Sequence, residues 1–294
     1  MKILIAISSK IFSEPTLNAG MKVAKAFNSS STILEVGKKI SEFSMKEVSM
    51  ARERIESWNF DRPGVDVLEW AFNYLCELKL IDKSNRSKGF PKKTLIDDRG
   101  RRSQVFLQGV VYEDISLIIR NGDIIEELRS EVQSEKYDVT IVGGSKKGNL
   151  SFDMVQYIDS SVFIVKNYQS SFNYRILLAV DSSKGTKKAI KYSVRVAQAF
   201  NIGVDIITVA KDEKYKYRDA SIIKTASKFL RRCKIDHNIL HDVGDPVDVI
   251  PRLAGSDHIL IMGSSTKGPI RTFFQSSKPI KILKECNCPI LIVK

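Results

Sequence analysis

Two glycine pairs with the same spacing are the clearest hint of phosphate chemistry in this sequence. Gly143 and Gly263 are each followed by a second glycine five positions later. This spacing opens the phosphate-binding loop of many nucleotide hydrolases, in which a lysine and a hydroxyl residue must come next. The residues that follow here are Asn149 and Pro269. The sequence therefore gives no support to Walker-type hydrolysis.

Histidines and cysteines form no catalytic or metal-binding pattern. We expect His237 and His241 to lie on one strand, about 13 Å apart, which is too far for one metal ion. The three histidines, which include His258, have no obvious nucleophile partner. Cys286 and Cys288 are the single close cysteine pair and are predicted to be ordinary thiols in a reducing compartment. We expect no metal and no catalytic site. Slow nucleotide hydrolysis is the weakest alternative, because no general base stands out.

An internal repeat indicates how the glycine loops are positioned. Residues 23–28 (VAKAFN) return as residues 196–201 (VAQAFN), and residues 3–7 return as residues 176–180, both at an offset of 173. The same offset relates residues 33–36 to residues 206–209. A fixed offset that persists through strand, helix and strand indicates a duplicated domain.

The second copy shows the expected elements most clearly. Apolar strands are predicted at 176–180, 204–209, 235–241, 259–262 and 290–293. Amphipathic helices are predicted at 186–200, around 222–230, from Pro246 to Leu253, and at 279–285. Asp245 and Pro246 are suited to the N-cap and the first position of a helix. Alternating strands and helices predict a doubly wound, mostly parallel α/β sheet of about five strands.

The first copy shares this frame but carries an insertion. Val36 and Gly122 are 86 positions apart, whereas the matching Val209 and Gly244 are 35 apart. The predicted domains are therefore 1–166 with an insertion at about 43–113, a docked linker at 167–174, and 175–294. Within the insertion we expect a helical pair at roughly 43–80. Segments 93–98 and 101–108 are predicted to form a protruding hairpin.

Charge and hydropathy limit the class of partner. The net charge is +13, and residues 173–294 contribute +11 of it. Residues 83–102 hold eight basic and two acidic side chains. Such an excess favours anionic partners, and nucleic-acid binding through 83–102 stays open beside the simpler interpretation of a solvated loop. No apolar run reaches the about 18 residues that a membrane helix needs, so we expect a cytoplasmic protein without membrane insertion.

The repeat, the strand that ends in Asp181 and the Gly244-Asp245-Pro246 turn together resemble the universal stress protein family in its tandem form. The resemblance implies that closing strands 162–166 and 290–294 pair the two copies side by side as a pseudo-dimer, with homodimerisation left open. Nucleotide-binding members of that family carry the pattern G-x2-G-x9-G-[ST] after the fourth strand. In this chain the pattern falls on Gly263, Thr266, Ser276 and Ser277, so two of its three glycines are replaced.

The resemblance also implies where a ligand would bind. An adenine nucleotide (ATP, ADP or AMP, with or without Mg²⁺) would lie at the carboxyl edge of the second copy, with Asp181 near the ribose or base and Val209 near the base. Asp181 can instead be an Asx turn that ends a strand. No nucleotide is expected in the first copy, where Ser8 takes the place of Asp181. The full predicted nucleotide-binding set is Ala179, Asp181, Val209, Met262, Gly263, Thr266, Ser276, Ser277 and Lys278.

The sequence thus leads to one principal hypothesis and one alternative. The principal hypothesis is a non-catalytic, cytoplasmic stress-response or regulatory protein whose second domain binds an adenine nucleotide or a similar small anion. The alternative is an interaction scaffold that has lost its ligand. Thr266 and Ser276 favour the alternative, whereas the retained Asp181, Gly263 and Ser277 argue against it.

Overall fold

The computed structural model forms one mixed α/β sheet of twelve strands, with helices on both faces. It describes residues 1–37, 64–90, 96–98, 102–107, 109, 115–144, 150–215, 220–264 and 278–294. The strand order is β10-β9-β8-β11-β12-β7-β6-β1-β2-β5-β4-β3, numbered along the chain. None of the helices described there is both long and apolar enough to cross a membrane.

Elements of the first copy alternate as the sequence predicts. Its strands and helices are β1 Lys2–Ile7, α1 Lys10–Phe27, β2 Ser30–Gly37, α2 Val65–Glu77, α3 Lys83–Lys88, β3 Ile96–Asp98, β4 Arg102–Leu107, β5 Ile115–Asn121, α4 Ile124–Glu135, β6 Val139–Gly143, α5 Leu150–Tyr157 and β7 Ser161–Val165.

The second copy repeats this frame without the insertion. Its elements are β8 Arg175–Ala179, α6 Lys184–Phe200, β9 Val204–Ala210, a short 3₁₀ helix Glu213–Tyr215, α7 Ala220–Arg232, β10 His237–Val243, α8 Pro246–Ala254, β11 His258–Gly263, α9 Lys278–Glu285 and β12 Ile290–Val293. Asp245 caps α8 by accepting a hydrogen bond from the Val247 N–H at 3.0 Å, and Pro246 is the first helical residue. The predicted cap is confirmed.

The two copies join through one antiparallel strand pair. Strand β12 pairs with β7, with Ile290 opposite Ile164 and Ile292 opposite Val162. The predicted pairing of the closing strands is confirmed. It also means that the copies do not keep separate sheets, because backbone hydrogen bonds continue across the junction. On each side of it five strands are parallel to one another, in the order β5-β2-β1-β6-β7 and its repeat β10-β9-β8-β11-β12.

Reciprocal lysine contacts reinforce the junction. Lys294, directly after β12, donates from Nζ to the carbonyl oxygens of Val155 and Ile158 at the end of α5. Lys166, directly after β7, donates from Nζ to the carbonyl oxygen of Cys286 at the end of α9. A cation at a helix C-terminus binds carbonyls that lack intrahelical partners. Each copy therefore caps the last described helix of the other.

The hydrophobic core forms two layers, one on each face of the sheet. Helices α1, α2, α6 and α7 cover one face, and α4, α5, α8 and α9 cover the other. Alternate strand residues such as Leu177 and Leu178 enter opposite layers, and both are fully buried. Burial of both faces explains why these parallel strands are continuous apolar runs in the sequence.

The insertion extends the sheet at one edge. Strands β3 and β4 form an antiparallel hairpin, as predicted, with Asp97 opposite Ser103. The expectation that this hairpin protrudes is wrong, because β4 pairs along its whole length with β5. Helix α2 is the second member of the predicted helical pair, and residues 43–63 lie outside the described residues. The prediction of a solvated loop is also corrected, because α3, β3 and part of β4 lie within 83–102.

The linker between the copies packs onto the protein as predicted. Tyr168 and Tyr174 are both buried and their rings stack with centroids 5.5 Å apart. Asn167 donates from Nδ2 to the carbonyl oxygen of Asn287, which ties the linker to the second copy. The domain boundaries at 166 and 175 stay a prediction.

Candidate functional site

The strand order places a crevice at the carboxyl edge of the second copy. Strand β8 lies between β9, reached by one crossover, and β11, reached by connections on the opposite face. In open parallel sheets, ligands bind outside the carboxyl ends of the strands where the order reverses in this way. The segments that follow Ala179 in β8 and Gly263 in β11 flank that point.

Three of the predicted site residues lie on one face of the sheet at this edge. Ala179 is directly opposite Met262 and, on its other side, Ile207. Val209 follows Ile207 by two positions and therefore points to the same face. Met262 is buried, whereas Ala179 and Val209 are partly buried against the same core layer. Together they form a small apolar wall with an exposed rim.

Asp181 is exposed and forms an Asx turn in the loop between β8 and α6. Its Oδ1 accepts hydrogen bonds from the Ser183 N–H at 3.0 Å and from the Thr186 hydroxyl at 2.6 Å. Both hydrogen bonds use the same carboxylate oxygen, Oδ1, and the turn leads into α6. The predicted Asx turn is therefore present. Because the turn uses Oδ1, Oδ2 of Asp181 can accept a hydrogen bond from a ligand.

Gly263 is required for packing between β11 and the first turn of α6. A Cβ added at Gly263 would lie 2.7 Å from the backbone nitrogen of Thr186, and one added at Gly185 would lie 2.5 Å from the carbonyl oxygen of Ser264. Both obstacles are backbone atoms, which cannot move independently. The close contact brings the N-terminus of α6 directly to the end of β11.

The N-terminus of α6 is unusually basic. Lys184, Lys187 and Lys188 lie in its first two turns, and its first turn holds no acidic residue. Within the described part of the chain, the N-cap residue Ser183 makes no side-chain capping hydrogen bond. Free amide groups and the helix dipole already favour an anion at such a helix end, and nearby lysines add to that preference.

The remaining predicted site residues are less fully described. Thr266, Ser276 and Ser277 lie outside the described residues. Lys278 begins α9, but the position of its side chain is outside the description. The structure therefore brings together Ala179, Asp181, Val209, Met262 and Gly263.

The first copy has different chemistry at the equivalent edge. The amides of Ser8 and Ser9 both donate to the Ser13 hydroxyl, so a serine turn replaces the Asp181 turn. Glu35 takes the place of Thr208 and is only 5% exposed, and its Oε2 has no hydrogen-bond partner among the residues that the structure describes. Burial raises the pKa of Glu35 from 4.5 to about 7, and the charge of Asp66 adds to the effect. Sequence reasoning missed Glu35, although a carboxylate within residues 33–36 of an apolar strand is a visible signal.

Part of the basic insertion is used inside the protein. Arg102 and Arg120 are opposite each other on β4 and β5, and Glu131 of α4 pairs with both at 3.0 and 2.9 Å. The hydroxyl of Tyr137 also donates to Glu131, and burial raises the pKa of that tyrosine. Phe90 packs against other rings of the core layer rather than facing solvent. These contacts leave Arg102 and Phe90 unsuited to nucleic-acid binding.

The histidines have hydroxyl or carboxylate partners that the sequence did not reveal. His237 Nε2 lies 2.8 Å from the Ser227 hydroxyl, and His241 Nδ1 lies 2.9 Å from Thr208 Oγ1. The sequence revealed no obvious nucleophile partner for a histidine, and these two hydroxyl contacts were not foreseen from it. Both contacts join β10 to its neighbouring elements. His237 is at the amino end of β10, whereas His241 and Thr208 lie toward the carboxyl ends of β10 and β9.

The four cysteines are free thiols. Cys286 and Cys288 are fully buried, and the hydrogen bond between the two thiols, together with burial, raises the pKa of Cys286. Cys76 and Cys233 are half-buried. In the described ranges, no group of three histidine, cysteine or acidic side chains is arranged to hold a metal ion.

The fold and the crevice define a tandem, doubly wound α/β protein. Residues 173–294 match the model of the Universal stress protein family. No curated protein sequence matches the chain.

Two solved structures are similar over the whole chain. A universal stress protein from Archaeoglobus fulgidus DSM 4304 is 14% identical, with a TM-score of 0.62 over 100% of this chain and 96% of its own. A putative universal stress protein from Pseudomonas aeruginosa UCBPP-PA14 is also 14% identical, with a TM-score of 0.63 over 100% of this chain and 92% of its own. The full-length chain therefore has the fold of these proteins.

A shorter structure is also similar. The universal stress protein from Archaeoglobus fulgidus in complex with dAMP is 14% identical, with a TM-score of 0.34 over 41% of this chain and 98% of its own.

Proposed function

We propose that the second copy binds an adenine nucleotide in the crevice at the carboxyl ends of β8 and β11, and that the protein is a non-catalytic regulator. The observation that carries this proposal is that an apolar wall and a basic helix N-terminus lie at the same carboxyl edge of the sheet, on its two faces, beside one topological switch point. The wall is formed by Ala179, Val209 and Met262, and the helix end carries Lys184 and Lys187. An apolar surface beside a concentration of positive charge suits a flat base linked to phosphate.

Each group has a distinct part in this proposal. The wall contacts the base, and Oδ2 of Asp181 accepts a hydrogen bond from a ribose hydroxyl. Phosphate lies toward the amides and lysines of α6, since a carboxylate would repel it. Thr266, Ser276 and Ser277 are proposed as phosphate contacts because they occupy positions of the family pattern, and Lys278 because it follows the pattern directly and carries a positive charge. Mg²⁺ would be held by the phosphates.

Nucleotide titration of matched variants tests the proposal. Asp181→Asn keeps an oxygen that can accept from Ser183 and Thr186, so the turn survives while one ligand-facing acceptor is lost. We expect it to weaken AMP binding in calorimetry by about tenfold or more, since hydrogen bonds to charged groups contribute about 1.5–3 kcal/mol. Wild-type affinity for AMP in Asp181→Asn would contradict the assigned contact.

A charge test separates the phosphate from the base. The double change Lys184→Gln and Lys187→Gln should weaken ATP binding and leave adenosine binding nearly unchanged. The matched control is Lys224→Gln with Lys228→Gln, which removes the same charge from exposed positions of α7. Absence of binding by the wild-type protein at about 5 mM ATP with magnesium, together with no nucleotide in an acid extract of purified protein, would refute nucleotide binding.

A ligand-free interaction scaffold is the second candidate. It is favoured by the structural uses of two predicted site residues: Asp181 forms a turn, and Gly263 permits close packing with Gly185. Retention of both is then explained without a ligand. This candidate predicts that the protein purifies without nucleotide and that Asp181→Asn changes neither stability nor any binding property.

A stress-related role, a cytoplasmic location and homodimerisation complete the proposal. The first two are supported by the match of residues 173–294 to the Universal stress protein family model. Homodimerisation is supported by edge strand β10, where Ile239 and Leu240 are 44% and 36% exposed. Sedimentation of the wild-type protein and of Leu240→Lys tests this, because a charge on an interface strand disfavours edge pairing.

A further inference from the structure

A groove lies between helices of the two copies, at the end of α1 and along α6 and α7. It has a volume of about 390 Å³ and is lined by Phe27 at the end of α1, by α6 residues that include Tyr192 and Arg195, and by Phe229 and Cys233 of α7. The rings of Phe27 and Tyr192 lie 5.3 Å apart at an angle of 54°. This volume falls within the range of small-molecule sites.

The repeat supplies a second version of this groove within the same molecule. At the offset of 173, Phe27 corresponds to Phe200, and Arg195 corresponds to Lys22. Both counterparts contact the same buried side chain, Tyr168 of the linker. The Tyr168 ring meets Phe200 edge-on at 6.0 Å, and Lys22 donates from Nζ to the Tyr168 hydroxyl at 3.2 Å.

The two versions differ in which ring lies beside the phenylalanine. In the filled version, where Phe200 and Lys22 meet, the ring of the linker residue Tyr168 occupies the space, with its hydroxyl at the tip. In the open version, where Phe27 and Arg195 meet, the ring beside Phe27 is that of Tyr192 from α6, and the described residues leave a groove next to it. The filled version thus shows the shape and the polarity that this pair of positions accommodates: a flat ring with an acceptor oxygen directed at a cation.

Charge sharpens the choice of ligand. Lys191 and Arg195 are exposed on the rim, and no acidic residue is among the described residues that line the groove. A guanidinium binds a carboxylate more strongly than a neutral hydroxyl, because the paired hydrogen bonds are charge-assisted. Tyr192 and Phe229 offer rings for aromatic contact.

We propose that this groove, here called the interhelical groove, binds a small planar aromatic carboxylate. The ring lies between Phe27, Tyr192 and Phe229, and the carboxylate pairs with Arg195. The site is separate from the crevice at β8 and β11, and it does not depend on nucleotide binding.

Fluorine NMR with 4-fluorobenzoate on the full chain tests the proposal, with 4-fluorobenzamide as the neutral probe. We expect 4-fluorobenzoate to bind with a dissociation constant of about 1 mM or tighter and the amide to bind at least about tenfold more weakly. Arg195→Gln should weaken binding of the carboxylate by about tenfold. Arg231→Gln removes the same charge from an exposed α7 position outside the groove and should have no effect.

A substitution in the linker provides a second test of the proposed site. Tyr168→Ala empties the filled version of the groove, so it should raise the number of 4-fluorobenzoate sites from one to two. In that variant, the additional Lys22→Gln change should remove the second site only.

Thiol protection locates the probe without any substitution. Cys233 lines the groove and Cys76 does not, although both are half-buried. Bound 4-fluorobenzoate should slow alkylation of Cys233 and leave that of Cys76 unchanged. The proposal is overturned if wild-type protein shows no binding at about 5 mM probe, if Arg195→Gln and Arg231→Gln lose affinity equally, or if both thiols react as before.

Discussion

Replacement of Glu35 by glutamine should change how the stability of this protein depends on pH. Glu35 lies on β2 between Ile7 of β1 and Ile119 of β5, and it is 5% exposed. Within the described ranges its Oε2 has no hydrogen-bond partner, and the aliphatic part of its side chain is close to Gly64, at the start of α2. Burial without a compensating partner favours the protonated form.

The sign and size of the effect follow from proton linkage. The pKa of Glu35 is about 7 in the folded protein, against an ordinary value of 4.5. Between these values the folded state holds a proton that the unfolded state has released, so the free energy of unfolding falls as pH rises. A difference of about 2.5 units corresponds to about 3 kcal/mol, lost by the time pH exceeds 7.

Urea unfolding of wild type and Glu35→Gln at a series of pH values measures this difference. The glutamine side chain resembles the neutral carboxyl group in shape and has no charge to lose. At pH 4.5 we expect similar stability, and at pH 8 we expect Glu35→Gln to be more stable by about 3 kcal/mol. Glu14→Gln, the same change at an exposed position of α1, should follow wild type throughout. A constant difference between wild type and Glu35→Gln from pH 4.5 to 8 would refute the assignment of a raised pKa.

Three further changes test the packing and hydrogen bonding described above. Glu131→Gln leaves two buried arginines without their shared carboxylate and should destabilise the protein by about 3–5 kcal/mol in urea unfolding; a cost under about 1 kcal/mol would show that the network relaxes freely. Gly263→Ala should cost about 1–3 kcal/mol or more, because the new Cβ meets backbone, whereas Gly143→Ala meets only the Thr16 hydroxyl closely at 3.0 Å and should cost less; equal melting points for the two variants would contradict this. Asp245→Ala removes the cap of α8 and should cost about 1 kcal/mol, and Asp245→Asn should restore most of it.

The sequence was sufficient to predict the repeated frame because local and long-range signals agree in it. Strand β8, helix α6 and the Asp245 cap each have a short-range pattern. The fixed offset of 173 repeats the strand and the helix in the first copy, and Asp123 repeats the cap beyond the insertion. The pairing of β7 with β12 was predicted from family resemblance and not from the residues. Parallel strands buried on both faces leave no pattern that specifies which edge meets which.

The parts that the sequence did not predict depend on contacts between distant positions. Arg102 is one of eight basic residues in its segment, and nothing local indicates that it is buried against Glu131, 29 positions away. The attachment of the β3–β4 hairpin to β5 was missed because it, too, depends on residues that are far apart in the sequence. The interhelical groove was missed for the same reason, since Phe27 and Arg195 belong to different copies.

The reciprocal lysine caps explain how a duplicated protein can become asymmetric in function and keep its junction. Lys166 and Lys294 each bind carbonyl oxygens at the end of a helix in the other copy, so each half satisfies polar groups that the other half leaves open. The stretch before Lys166 is eight residues shorter than its counterpart, counted from Gly148 and Gly268 (18 against 26 positions). The cap persists despite that deletion, because it depends on the end of the closing strand and not on the loop before it. The side chains at the carboxyl edges differ between the copies, since Glu35 replaces Thr208 and Ser8 replaces Asp181. They can differ in this way without disturbing the lysine contacts that hold the two copies together.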